Sequence, residues 1–144
     1  MTDTKNLVTV SRVVKASPDA VYAAWTDPDI MRRWMATEVD ADVRVGGRYR
    51  ITIHEADGTI NSFTGEYRVL EPGKRLVKTF RHHSAKPGEY EDETVEVTFQ
   101  PAGPGQTTVT VRNAWTGAKI SQEQEDGVRE GFEIWLNQLE AVLG

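Results

Sequence analysis

The C-terminal stretch SQEQEDGVREGFEIWLNQLEAVLG predicts one long amphipathic helix. Its apolar residues recur at intervals of three and four, the spacing that places side chains on one face of an α-helix. They are Val128, Phe132, Trp135, Leu139 and Val142. Ser121 is the expected N-cap. Because about 22 helical residues span roughly 33 Å, this apolar stripe needs a facing surface of similar length.

Residues 38–115 provide that surface as an antiparallel meander. Turn sequences of the type VGG, DG, PG, KPGE and PAGPG separate short segments in which apolar and polar residues alternate, a pattern typical of strands and hairpins. A ten-residue strand such as 61–70 also spans about 33 Å, which matches the helix. Gly65 within this strand indicates a bend or bulge. In residues 74–83 the alternation does not decide which face points inward. Either Leu76, Phe80 and His82 or Val77, Thr79 and Arg81 form the inward face.

The N-terminal part predicts one strand and two short helices. In LVTVSRVVKAS the residues Val8, Val10 and Val14 form a buried face that Arg12 interrupts. The sequences Ser17-Pro18-Asp19 and Thr26-Asp27-Pro28 each combine a capping side chain with a proline at the first helical position. We therefore predict an α+β fold over residues 1–144 as one domain. A curved antiparallel sheet of six or seven strands grips the long C-terminal helix, and two short helices follow the first strand.

Composition excludes several classes of function. The chain has no cysteine, so disulfides, thiolate metal ligands and a thiol nucleophile are absent. A net charge of −5 without a basic block argues against a nucleic-acid partner. No apolar run is long enough to span a membrane, and the start MTDTKNLVTV does not have the order of a signal peptide. We expect a cytoplasmic protein that does not associate with membranes.

The ordered motifs resemble one family over roughly residues 7–143. They are SRVVKASPDAVYAAWTDPDIMRRWM, VDADVRVGGRYRI, DG, FTGEYRVLEPGKRLVKTF, TVEVTFQP, TTVTV and REGFEIWLNQLEAVL. Together they are similar to the activators of the heat shock protein 90 ATPase, within the START-like, helix-grip superfamily. The resemblance implies a cavity between the sheet and the long helix, open near the two short helices, that takes apolar or amphipathic small molecules.

Ten residues are the candidates for contact with such a ligand. They are Trp34, Tyr49, Phe63, Tyr67, Phe80, His82, Asn113, Trp115, Phe132 and Trp135. Ligand pockets are generally apolar and aromatic with a few polar groups, although plain core packing explains the same aromatic pattern. Trp34 is the candidate for the pocket mouth, and Trp25 for an anchor between the first helix and the sheet.

The polar candidates leave alternatives open. We expect Arg12 to form an internal or edge ion pair, whereas Asn113 fits equally a structural role or a ligand contact. Of His82 and His83 only one can face inward in a strand. No metal-binding spacing occurs around the histidines, and no cofactor is expected. The scattered glutamates, including Glu93, form no recognisable acid/base pair.

Three functional hypotheses follow from these observations. The first is a non-catalytic domain that binds a small molecule. The second is a module that contacts a chaperone of the heat shock protein 90 type and stimulates its ATPase. The third is a cyclase or dehydratase, of the kind the wider superfamily contains, with Tyr67 or His82 transferring a proton.

Overall fold

The computed structural model describes residues 4–117 and 119–143 and confirms the predicted α+β class. The elements follow in the order β1 (Thr4–Val14), α1 (Pro18–Thr26), α2 (Pro28–Trp34), β2 (Glu38–Ala41), β3 (Arg48–His54), β4 (Ile60–Glu71), β5 (Arg75–Thr79), β6 (Arg81–His82), β7 (Glu91–Gly103), β8 (Gln106–Gly117) and α3 (Gln122–Leu143). Two short helices thus follow the first strand, and one long helix ends the chain.

The strands form one open antiparallel sheet in the order β1-β8-β7-β5-β4-β3-β2. The two-residue β6 lies off this path and pairs with β4, which accounts for the strand beyond the predicted six or seven. Strands β1 and β2 are the two edges. Because β4 pairs with β6 near Phe63 and with β5 from Tyr67 onward, the sheet changes partner around Gly65.

Gly65 is required by close packing at this change of partner. A Cβ atom there would lie 2.0 Å from the carbonyl oxygen of Thr79 and 2.6 Å from the ring of Tyr49. The expected bend or bulge is present, since the register between β4 and β5 shifts between Tyr67 and Val69. The shift lets the sheet curve toward α3.

Side-chain caps begin the three helices as predicted. The Ser17 hydroxyl accepts from the backbone N–H of Ala20 at 3.2 Å, and the Asp27 carboxylate accepts from that of Asp29 at 2.9 Å. At α3 the Ser121 hydroxyl accepts from the backbone N–H of Gln124. The Gln124 side chain accepts in return from the Ser121 N–H, which completes a capping box.

Helix α3 lies across the sheet but buries a narrower face than its apolar stripe predicts. Phe132, Leu136 and Leu139 are its buried residues. Val128 and Trp135 are only half-buried, because a pocket lies between this part of the helix and the sheet. The expected ion pair of Arg12 is confirmed: its Nε lies 3.2 Å from Oε1 of Glu140 and so connects β1 to α3.

Candidate functional site

A pocket of about 740 Å³ lies between α3 and the concave face of the sheet. Its floor is made of buried or half-buried side chains, whereas exposed residues such as His54, Ser84 and Ile134 form its rim. The mouth is therefore bounded by the β3–β4 turn, the β6–β7 loop and α3. The mouth therefore does not lie beside the two short helices, where it was expected. From that part of the chain, only Met35, the C-cap of α2, lines the pocket.

Tryptophan side chains pack between the two short helices and join them to α3. Trp25 and Trp34 pack edge to face with ring centroids 4.9 Å apart, and the Trp34 Nε1–H donates to the carbonyl of Ala24 at 2.8 Å. The Trp135 Nε1–H donates to the carbonyl of Met35 at 2.9 Å, which joins α3 to the end of α2. These contacts hold α3 against the end of α2 at this point.

Four aromatic side chains form the apolar wall of the pocket. The rings of Phe63 and Phe80 stack with centroids 4.7 Å apart, and Trp135 packs against Phe63 at 5.6 Å. Phe132 lies 5.7 Å from Trp135 and 6.3 Å from Phe80. Offset and edge-to-face pairs of this kind are favourable contacts, so the four rings form one continuous apolar surface.

Two glycines form part of the helical wall. Gly127 and Gly131 lie one turn apart on α3 and both line the pocket. A Cβ atom built on either residue would meet nothing within 4 Å. Glycine in a helix interior costs about 1 kcal/mol relative to alanine. The two positions therefore add open volume to the pocket at the expense of helix stability.

His82 is the centre of a hydrogen-bonded group at the polar side of the pocket. Its Nε2 lies 2.9 Å from Oδ1 of Asn61, and its Nδ1 lies 2.6 Å from the hydroxyl of Ser84. The ring also packs on Phe63 at 4.7 Å. Burial and the neighbouring His83 lower the pKa of His82, so the neutral ring is favoured. Neutral His82 is consistent with Nε2–H donating to Asn61 and Nδ1 accepting from Ser84.

Glu93 is a second polar group of the lining, and it is 9% exposed. Asn113 donates from Nδ2 to the Glu93 carboxylate at 2.9 Å and to the carbonyl of Thr94 at 3.1 Å. Burial raises the pKa of Glu93 to about 7, against the opposing effects of the Asn113 hydrogen bond and the charge of Arg81. The side chain thus changes charge near neutral pH.

The structure brings six of the ten candidate residues together around the pocket. Phe63, Phe80, His82, Asn113, Phe132 and Trp135 all line it. Asn113 has the structural role considered for it, since it holds Glu93, and it also lines the pocket. His82 is the histidine that lines the pocket, while His83 is exposed and accepts at Nδ1 from the backbone N–H of Ser62.

The other four candidates lie in the core outside the pocket lining. Trp34 packs on Trp25, and Trp115 packs on Tyr90 at 5.0 Å. The Tyr49 hydroxyl donates to the carbonyl of Thr79 at 2.6 Å. Tyr67 is fully buried, and its hydroxyl has no hydrogen-bond partner among the described residues. Burial raises the pKa of Tyr67 to about 12, which disfavours the proton-transfer role considered for it.

Four polar residues of the site escaped the sequence reasoning. Glu93 continues the alternation of Val95, Val97 and Phe99, so its inward position was available from the pattern. Leu76 and Lys78 are the buried residues of β5, and Phe80 just after the strand is also buried, so the face that contains Leu76 and Phe80 is the inward one. Asn61 and Ser84 gave no such signal, because their contact with His82 depends on the pairing of β4 with β6.

Two further observations limit the chemistry of the described residues. They contain no cluster of three or more histidine, cysteine or acidic side chains that could hold a metal ion. Among them, no helix is both long and apolar enough to cross a membrane. The polar side chains that line the main pocket carry imidazole, carboxyl, amide and hydroxyl groups, which suit hydrogen bonding to an organic molecule.

An open antiparallel sheet that holds a long C-terminal helix, with a pocket between them, defines the START-like, helix-grip class. The chain belongs to the family of the Activator of Hsp90 ATPase homolog 1-like proteins, whose model matches residues 15–144. Among proteins of curated function, none matches the chain significantly.

Solved structures share this fold. Protein CV1439 from Chromobacterium violaceum is 28% identical, with a TM-score of 0.80 over 96% of each chain. Mll3558 from Rhizobium loti is 24% identical, with a TM-score of 0.79 over 99% of this chain and 100% of its own. DynU16, from the dynemicin biosynthetic locus, is 22% identical with a TM-score of 0.78, and the match covers 95% of this chain but 46% of DynU16.

Proposed function

We propose that this protein binds a small apolar or amphipathic molecule in the pocket between α3 and the sheet. The observation that carries the proposal is the pair of helical glycines, Gly127 and Gly131, whose missing side chains leave the pocket open. A chain that needed only a packed core would gain stability by filling these positions.

The composition of the lining supports the same proposal. A volume of about 740 Å³ lies within the range of roughly 300–1,000 Å³ common for ligand pockets. One side is the aromatic wall, and the other carries the imidazole of His82 and the Glu93–Asn113 pair. A ligand with an apolar body and a hydroxyl or carbonyl group would satisfy both sides.

The test uses Nile red, an uncharged dye whose fluorescence rises in apolar surroundings. Gly131→Leu places a side chain directly in the pocket, whereas Glu133→Leu adds the same side chain at an exposed position of α3 outside the lining. We expect saturable binding to the unmodified protein and to Glu133→Leu, with at least tenfold weaker binding to Gly131→Leu. Equal binding to both variants, or no binding to the unmodified protein, would refute the proposal.

A second candidate function rests on the family description, which names an activator of the Hsp90 ATPase. Under this proposal the chain would contact a chaperone through its surface and stimulate ATP hydrolysis. The assay is the ATPase rate of a purified bacterial chaperone of this type with increasing amounts of the protein. An unchanged rate at saturating protein would exclude this function, and the Gly131→Leu variant would show whether any stimulation depends on the pocket.

A further inference from the structure

Lys78 is a buried cation that has no role in the ligand-binding function proposed above. Its side chain lies on the inward face of β5 and is 2% exposed. Among the described residues no carboxylate lies within ion-pair distance of its Nζ. The ammonium instead lies over the rings of Tyr49 and Trp25, 4.7 Å and 5.7 Å from their centroids. Lysine is almost never fully buried without a charged partner.

The Lys78 side chain faces a small void directly behind the pocket wall. The void measures about 10 Å³, close to the space that one water molecule or one ligand oxygen needs. Its lining comprises Trp25, Met35, Ile51, Lys78, Phe80, Val95, Phe132 and Trp135. Four of these, Met35, Phe80, Phe132 and Trp135, also line the main pocket. These four side chains therefore form the wall that the void and the pocket share.

The distribution of charge around the two spaces is asymmetric. Of the residues that line the pocket or the void, Lys78 is the only lysine or arginine, whereas Glu93, Glu89 and Glu55 lie at the pocket. An anionic group would therefore be repelled by the acidic residues and attracted to the Lys78 end. Within an apolar aromatic enclosure this attraction is much stronger than in water.

We propose that the ligand is an amphipathic carboxylic acid whose carboxylate binds the Nζ ammonium of Lys78 while its apolar body fills the pocket. The inference rests on the proposed pocket-binding function and specifies the class of ligand. A movement of one of the four shared side chains joins the void to the pocket and admits the carboxylate. The bound acid supplies the counter-ion that Lys78 otherwise lacks, and the polar group at the opposite end of the ligand faces His82 and Glu93.

The proposal has a defined dependence on pH. Burial lowers the pKa of Lys78 to about 8, so most of the amine is charged at pH 7. The groups around it are Trp25 from α1, Met35 after α2, Tyr49 and Ile51 from β3, Tyr67 from β4, Phe80 after β5, Val95 from β7, and Phe132 and Trp135 from α3. Burial raises the pKa of both tyrosines, and Glu93 on β7 titrates below Lys78. Above pH 8 the affinity for an acid should therefore fall as Lys78 loses its proton.

The experiment compares decanoate and decan-1-ol, which have the same chain length, as competitors of Nile red at pH 7.5. We expect the unmodified protein to prefer the acid by at least about tenfold, the lower limit for a charge-assisted hydrogen bond. Lys78→Met keeps the length and apolar character of the stem and should lose this preference while still binding Nile red and decanol. Lys74→Met, at an exposed position of the neighbouring turn, is the matched control and should keep it.

The outcomes separate the two proposals. If Nile red does not bind, the pocket-binding function fails and this inference fails with it. If Nile red binds but decanoate has no advantage, or if Lys78→Met retains the advantage, the role of Lys78 alone is refuted. If Lys78→Met does not fold, the pH dependence of the unmodified protein tests the proposal instead. Decanoate must then bind at least fivefold more weakly at pH 9.5 than at pH 7.5, while the affinity for decanol stays unchanged. A pH-independent affinity for decanoate would overturn the proposal.

Discussion

Replacing Gly127 and Gly131 together by alanine should stabilise the protein. Neither glycine has a positive φ angle, and a Cβ atom on each would meet nothing within 4 Å, so no clash or strain offsets the gain in helix propensity. Each substitution contributes about 0.8–1 kcal/mol, and the pair about 2 kcal/mol. For a chain of 144 residues this corresponds to a rise in Tm of about 6 °C.

Urea unfolding and thermal melting measure this effect. The midpoint should move to higher urea with an unchanged slope, because only the stability changes and not the surface exposed on unfolding. Gly58→Ala is a matched control: its Cβ would also meet nothing within 4 Å, but its φ is +92°. That substitution should lower the free energy of unfolding by about 1 kcal/mol.

A gain below about 0.5 kcal/mol for the double variant would refute the argument, since it would mean that the glycines do not lower helix stability. The same variant should retain Nile red binding, because two methyl groups occupy little of the pocket. Together with Gly131→Leu, it separates the energetic effect of these positions from their effect on the ligand space.

Three other predictions concern the core and the pH dependence. Trp25→Ala and Trp34→Ala should each lower the free energy of unfolding by roughly 3 to 5 kcal/mol, measured in urea, with Nile red affinity of the folded fraction unchanged because neither ring lines the pocket. Gly65→Ala should lower the free energy of unfolding by about 1–3 kcal/mol, because the added Cβ overpacks against the Thr79 carbonyl. A Tm equal to that of the unmodified protein would contradict the close contact. Glu93 has a pKa of about 7 in the folded protein against 4.5 ordinarily, so the folded state binds an extra proton between these values and stability falls as pH rises through them. Glu93→Gln should remove this slope, which amounts to about 3 kcal/mol at most; an unchanged profile between pH 4.5 and 7 would count against the assignment.

Local chemistry made the helix ends and the fold class predictable. Ser17, Asp27 and Ser121 cap the helices where the sequence indicated, because capping depends only on residues two or three positions away. The alternation in β7 and β8 and the helical period of α3 likewise indicate which side chains face inward. The order of strands was not available from these patterns, since they contain no information on pairing.

The site was predictable only in part for the same reason. The aromatic wall of Phe63, Phe80, Phe132 and Trp135 follows from inward positions on the strands and α3. Trp34, by contrast, is apolar and close in sequence to a helix end, but whether it faces a pocket or another ring depends on the tertiary contact with Trp25. Lys78 was overlooked because a lysine inside an apolar alternation is normally expected to be exposed.

The uneven burial of α3 has a consequence for how the pocket adjusts to its ligand. Residues 132–139 carry the buried side chains of the helix, and the Arg12–Glu140 pair fixes its far end to β1. In residues 122–127 only Glu125 is even partly buried, although Gly127 in this segment lines the pocket. Helix α3 is therefore held mainly by its C-terminal half, whereas its N-terminal half, which covers the pocket, contacts the core through few side chains, among them Val128. Amide hydrogen exchange should be faster in residues 126–130 than in 134–140, and we expect a small tilt of the N-terminal half of α3 to adjust the pocket to ligands of different size.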